Sequence, residues 1–181
     1  MMCEDLKKYF GYGSNMLTVK LKCRCSSVDI KGVYWTKKYT LKFHKKSIDG
    51  SGKGNMAPAN SETDELYGIV FTINKDEEKR LDKAEGYVEF GNGYKKKPIE
   101  VISEKTNKPL LAWAYYADET SIDDNLKPYR WYKTQTLLGA KEHGLPPHYI
   151  EEKIENVEAW KCKCTKWHCF HDQKPWKLKL Q

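Results

Sequence analysis

Two stretches of this 181-residue chain carry side chains suited to chemistry, and a third carries possible metal ligands. In Tyr9-Phe10-Gly11-Tyr12-Gly13-Ser14-Asn15-Met16, an apolar strand runs into a turn of small residues. Tyr9, Phe10 and Tyr12 suit a strand. Gly13, Ser14 and Asn15 allow a tight, partly left-handed backbone whose N–H groups point into one concavity and can surround an anion. That is the chemistry of a small-molecule site; an ordinary strand-to-loop turn is the plainer alternative. Glu85 offers a carboxylate for acid–base work. Asp82, on the same side of the helix, is the second choice, while Glu77 and Glu78 fall in its opening turn. Cys23-Arg24-Cys25 is echoed by Cys162-Lys163-Cys164, followed by His168, Cys169 and His171. Zinc ligand pairs are usually separated by about two to four residues, so Cys-x-Cys spacing fits zinc poorly and no metal site is assigned. A tail holding unpaired, partly exposed thiols is the simpler expectation.

The elements that must position these groups can be read from residue patterns. Asn74 is a helix N-cap with Glu77 three residues on, and acidic residues fill the first turn. Gly86 is placed to end that helix. Glu85 then lies at a helix C-terminus, where both the macrodipole and burial disfavour its ionised form. Residues 33–35 and 39–44 read as strands, as do 66–73, 99–102 and 110–116. Residues 49–55 tempt a phosphate-loop reading, but Ser47 stands where the first glycine belongs and Gly54 replaces the metal-binding hydroxyl, so a flexible turn is expected. Pro128 is expected in the first turn of a second helix, with Trp131, Gln135 and Leu138 on one face. Ile150, Ile154 and Val157 mark a third. Strands grouped early, without regular alternation into helices, indicate an α+β arrangement.

Composition narrows the classes. Hydrophobic residues make up 39% of the chain and charged residues 31%, which fits one globular domain with a polar surface. No apolar run approaches the ~18 residues of a membrane span, and Met1-Met2-Cys3-Glu4-Asp5 lacks a signal peptide's apolar segment, so a cytoplasmic protein without membrane partners is expected. The net charge of +7 comes mostly from lysines interspersed with acids. Without an RNP-like motif or recognition-helix pattern, nucleic acid is not the expected partner.

The opening octapeptide resembles the signature of the γ-glutamylcyclotransferase family. Arg80-Leu81-Asp82-Lys83-Ala84-Glu85-Gly86-Tyr87 resembles that family's acidic block, and Tyr132-Lys133 with Leu138-Gly139-Ala140-Lys141-Glu142-His143-Gly144-Leu145-Pro146 is similar to a third block of its animal members. The match runs over roughly residues 8–160, which sets the expected division into a domain at 1–160 and a basic Cys/Trp-rich tail at 161–181. Leu137-Leu138 before Gly139, and His143 before Gly144, depart from the animal pattern. The resemblance implies a small mixed β-barrel with flanking helices. It also implies cyclisation of a γ-glutamyl amino acid or amine to 5-oxoproline, with no cofactor. Carried over position by position, Glu85 is the general acid/base, and Tyr12, Gly13, Ser14, Asn15, Met16 and Tyr132 bind substrate. A homodimer is kept as one possible assembly. The competing expectation is a catalytically idle scaffold of the same fold, whose tail, with Trp160, Trp167 and Trp176 nearby, contacts a partner.

Overall fold

The structure, a computed structural model, describes residues 6–161. Five strands close into a barrel in the order β1 (Lys7–Gly11), β5 (Leu66–Ile73), β2 (Asp29–Thr36), β6 (Lys95–Ser103) and β7 (Pro109–Tyr116). Neighbours are antiparallel except where β1 meets β7 in parallel through Tyr9 and Trp113, so the barrel is mixed, as expected. β5 is buried along its whole length because β1 and β2 flank it and Tyr149 packs on Tyr67, ring centroids 5.1 Å apart. Phe10, Ile69 and Phe71 are wholly buried in the core, each stabilising the fold by about 1.5–3 kcal/mol.

β3 (Tyr39–Lys46) pairs with β4 (Gly52–Pro58) in a two-stranded flap outside the barrel, with one further bridge from Lys45 to Ile122. The flexible turn expected over 49–55 is therefore corrected: Gly52–Asn55 are strand. Here glycine marks close approach, since a Cβ on Gly52 would stand 2.0 Å from the Phe43 carbonyl oxygen.

Helix α1 (Thr18–Lys22), not anticipated from sequence, follows the opening turn. α2 (Lys75–Glu85) has the expected boundaries. The Asn74 side chain accepts from the amides of Asp76 and Glu77, Glu77 answers to complete the capping box, and Gly86 closes the helix at φ +67°, in the left-handed region. α3 (Arg130–Glu142) begins two residues beyond Pro128, with Tyr129 at its cap. Its buried face is Tyr132, Gln135, Thr136, Gly139 and Ala140, so the expected Trp131–Leu138 face is rotated by about one residue. The reason is Gly139, whose missing side chain lets α3 lie directly on the backbone of Met16 and Leu17. α4 (Pro147–Ile150) runs into a wide turn of π-helix over Glu151–Glu155, and Ile150 and Ile154 face the core as expected. Cys162, Cys164, His168, Cys169, His171, Trp167 and Trp176 lie outside the described residues. None of the described helices is long and apolar enough to cross a membrane.

Candidate active site

The barrel brings the three distant sequence blocks to one cavity. Tyr12, Gly13, Ser14 and Asn15 enter from the turn after β1, Glu85 from the end of α2, and Tyr132 from the first turn of α3. The remaining walls are Tyr9, Gly54, Tyr94 and Tyr115. Met16 is not among them: its side chain is fully buried, and its amide donates to the Gly13 carbonyl at 3.0 Å. The cavity measures about 20 Å³, room for a single water molecule.

The turn is tight but not left-handed. Gly13 has φ −114° and ψ −144°, Ser14–Met16 form one 3-10 turn, and no residue between 12 and 16 has positive φ. Gly13 lies beside Tyr132, whose hydroxyl would stand 3.4 Å from a Cβ added there, an ordinary contact distance.

Glu85 is partly covered, its side chain 18% exposed. Its Oε1 accepts from Asn15 Nδ2 at 3.2 Å and forms an ion pair with the Arg24 guanidinium. Arg24 also donates to Asn15 Oδ1 at 2.9 Å, and Asn15 Nδ2 donates to the Tyr9 hydroxyl at 2.9 Å. The Asn15 side chain is thus engaged at both ends, and it ties the turn to Glu85. Arg24 thus sets a positive charge beside this carboxylate at the C-terminal end of α2. Among the described residues, Glu85 Oε2 accepts no hydrogen bond and remains able to take a proton.

The other acids of α2 are engaged elsewhere. Asp82 accepts from the Tyr115 hydroxyl at 2.6 Å and from Lys96 at 2.9 Å. Glu78 pairs with Lys7 and Lys96, each at 2.7 Å, and Glu77 is held by the Ser27 amide and hydroxyl as well as its capping role. None of the three lines the cavity.

The tyrosines form a neutral wall. Burial, the leading cause at each, raises the phenols of Tyr9, Tyr12, Tyr94, Tyr115 and Tyr132, with the Glu85 charge adding to it. They act as hydrogen-bonding hydroxyls near neutral pH, not as bases. Tyr132 accepts from the Gly54 amide at 3.0 Å, and Tyr94 donates to the Gly54 carbonyl at 2.5 Å, so one residue of the flap is held from both sides. Tyr12 is engaged in the framework, donating to the Tyr115 carbonyl at 2.6 Å and accepting from the Met56 amide at 3.1 Å. Lys20 brings a positive charge to the turn, donating to Ser14 Oγ at 2.6 Å and Gln135 Oε1 at 2.8 Å.

Sequence reasoning missed Arg24, Lys20 and the walls formed by Tyr9, Tyr94 and Tyr115, while Tyr12 and Tyr132 were named. Arg24 lay inside a triplet read for its thiols; the available signal was that it is one of only three arginines in a lysine-rich chain. Within that triplet Cys23 is exposed and Cys25 buried, where burial raises its thiol to about 11. Among the described residues no group of three or more His, Cys, Asp or Glu side chains is placed to hold a metal.

Comparison with known proteins covers most of the chain. Residues 65–152 match the model of the AIG2-like family. A γ-glutamylcyclotransferase of Bos taurus is 32% identical over 167 residues, covering 86% of this chain and 85% of the relative. One from Homo sapiens is 30% identical over 159 residues, covering 86% and 80%. Among solved structures, a γ-glutamyl cyclotransferase superposes with a TM-score of 0.78 at 25% identity, covering 89% of this chain and 93% of its own. An uncharacterised protein from Homo sapiens superposes at 0.76 with 27% identity, covering 90% and 95%. With sequence and barrel agreeing over most of both chains, this chain belongs to the γ-glutamylcyclotransferase family.

Proposed function

We propose that this protein is a γ-glutamylcyclotransferase that closes the glutamyl group of a γ-glutamyl amino acid or amine into 5-oxoproline and releases the amine. Glu85 carries the proton. The observation that bears most weight is Glu85 Oε2, a carboxylate oxygen that accepts no hydrogen bond among the described residues, in a cavity shared with the Tyr12–Asn15 turn.

In this reading the glutamyl group lies against the turn. The backbone amides of the turn and the Lys20 ammonium face the substrate's α-carboxylate, and the α-ammonium approaches Glu85. Glu85 Oε2 takes one proton from the ammonium. The freed nitrogen attacks the γ-carbonyl carbon, forming the ring C–N bond. Collapse of the tetrahedral intermediate breaks the bond to the leaving nitrogen, which receives the proton from Glu85. The ring nitrogen then gives its second proton to the freed carboxylate, which passes it to the departing amine. 5-Oxoproline thus leaves neutral at nitrogen, the amine leaves as its ammonium and the enzyme ends as it began. Such shuttling contributes a factor of ~10²–10⁴. Holding the chain folded for a reaction within one molecule contributes further, since effective molarities reach about 10⁵–10⁸ M. Donors facing the oxyanion as it forms are worth about 2.7–4 kcal/mol each, and in this reading the Tyr132 hydroxyl, which lines the cavity, takes that role.

A glutamyl group is larger than the cavity. Arg24, whose side chain is 24% exposed, and Lys20 are the long side chains bonded to its lining, and they are the groups that swing aside for entry. Their bonds to Glu85 and Ser14 then pass in part to substrate. The reading is tested by incubating the protein with γ-glutamyl-alanine and quantifying 5-oxoproline and alanine by mass spectrometry. Release of the two in equal amounts supports it; no product from any member of a γ-glutamyl dipeptide and amine panel refutes it and favours the scaffold alternative. A cytoplasmic location and a homodimer stand as proposals resting on the chain's composition and on the family resemblance.

A further inference from the structure

Two of the flap's lysines lie over the cavity wall and take no part in the proposed reaction. Lys45 on β3 and Lys53 on β4 are cross-strand partners, so their side chains leave the same face of the hairpin. Each ammonium lies over a ring of the cavity wall: Lys45 Nζ is 4.9 Å from the centroid of Tyr94, and Lys53 Nζ is 4.9 Å from that of Tyr132. Like charges opposed across a pair of strands are destabilising. Lys53 is compensated, because its ammonium pairs with Asp49 at 2.6 Å and donates to Ser51 at 2.8 Å. Lys45 has no such partner: among the described residues no carboxylate lies within 4.0 Å of its ammonium, which sits over the Tyr94 ring. Burial lowers the Lys45 ammonium, and the charge acting on it most strongly is that of Glu85. A half-buried cation within the field of Glu85, without a counter-ion and set against a repelling neighbour, is an arrangement that an anion would relieve.

We propose that Lys45 is a specificity-determining residue that binds a carboxylate on the leaving amine, so that the protein prefers γ-glutamyl amino acids with a free carboxylate to uncharged γ-glutamyl amides and amines. The inference rests on the cyclotransferase reading above. In that chemistry the leaving nitrogen must come close to Glu85 to recover its proton. A carboxylate one carbon from that nitrogen must then lie within a few ångströms of the same point. The turn and Lys20 serve the glutamyl end, so the flap side, where Lys45 stands over Tyr94, is left for the leaving group. The Tyr94 hydroxyl fixes this side by its bond to the Gly54 carbonyl.

The test compares γ-glutamyl-alanine with γ-glutamyl-alaninamide, which differ only in that carboxylate, in wild type, Lys45→Met and Lys45→Arg. Because each variant is judged by the ratio of kcat/KM for its two substrates, any loss of folded protein cancels. Wild type is expected to favour the acid by about tenfold or more, the scale of one charge-assisted hydrogen bond. Lys45→Met should bring the ratio close to one, chiefly through a higher KM for the acid, and Lys45→Arg should restore most of it. An unchanged ratio in Lys45→Met overturns the inference, as does a wild-type ratio near one. Absence of 5-oxoproline from both substrates with wild-type protein would instead overturn the functional reading itself, and this inference with it.

Discussion

Gly139 lies on α3, away from the cavity lining, yet replacing it with alanine should disturb the site. An added Cβ would stand 2.4 Å from the Leu17 amide nitrogen and 2.6 Å from the Met16 carbonyl carbon. Ordinary contact begins near 3.4 Å, so helix and turn must separate by 3.4 − 2.4 = 1.0 Å. Both obstacles are backbone atoms with no rotamer to yield. Overpacking of this kind costs about 2–3 kcal/mol, while alanine in a helix recovers about 1 kcal/mol relative to glycine. The net loss of about 1–2 kcal/mol should lower Tm by about 2–8 °C in a chain of this size. Function should suffer more than stability, because the moved segment is the turn proposed to hold substrate, and a misplacement of about 1 Å can cost ~10²-fold in rate. Thermal unfolding followed by circular dichroism gives the first quantity, and 5-oxoproline release at saturating γ-glutamyl-alanine gives the second. A variant with raised Tm and unchanged kcat would refute the argument that α3 sets the position of the turn.

Two further perturbations address the site and the scaffold separately. Arg24→Met removes the charge that holds Glu85 and Asn15, so kcat should fall about tenfold or more, beyond any change in KM; Arg24→Lys should recover part of the loss, and steady-state kinetics showing equal kcat in all three proteins would contradict the positioning role. Asp64 accepts from the Asn60 amide at 2.9 Å and pairs with Lys153 at 3.0 Å, contacts that lower its carboxyl from 3.8 to about 2. Because the folded value is depressed, its stabilisation is complete above 3.8 and is lost as pH falls through about 2. Urea midpoints for Asp64→Asn should therefore lie below wild type at pH 6 and converge with it towards pH 2; a constant offset would contradict the assignment.

Much of this architecture was legible because local signals agreed with the fold. The capping box at Asn74, the left-handed Gly86 and the acidic first turn fixed α2, and with it the place of Glu85. The apolar run 66–73 announced the most buried strand of the barrel. What failed was information that exists only between distant segments. Gly52 and Gly54 look like turn residues, but they are glycine because Phe43 and Tyr132 press against them. The α3 face was misjudged by one residue because the helix buries a glycine against backbone, a contact without a hydrophobic signature. At the site, the turn and the carboxylate were readable, whereas Arg24 and Lys20 were not, because a cation nine or five residues from the turn has no spacing rule that aims it there. The Cys-x-Cys triplet drew attention to sulfur while the arginine between the two cysteines made the contact with Glu85.

The central claim is that Glu85 moves the proton in ring closure. The direct measurement compares wild type with Glu85→Gln, both shown to be folded by circular dichroism, for 5-oxoproline formation from saturating γ-glutamyl-alanine, alongside substrate affinity by calorimetry. A fall in kcat of ~10²–10⁴-fold, with affinity retained within a few-fold, is the predicted result. Equal product from both proteins would contradict the assignment of Glu85.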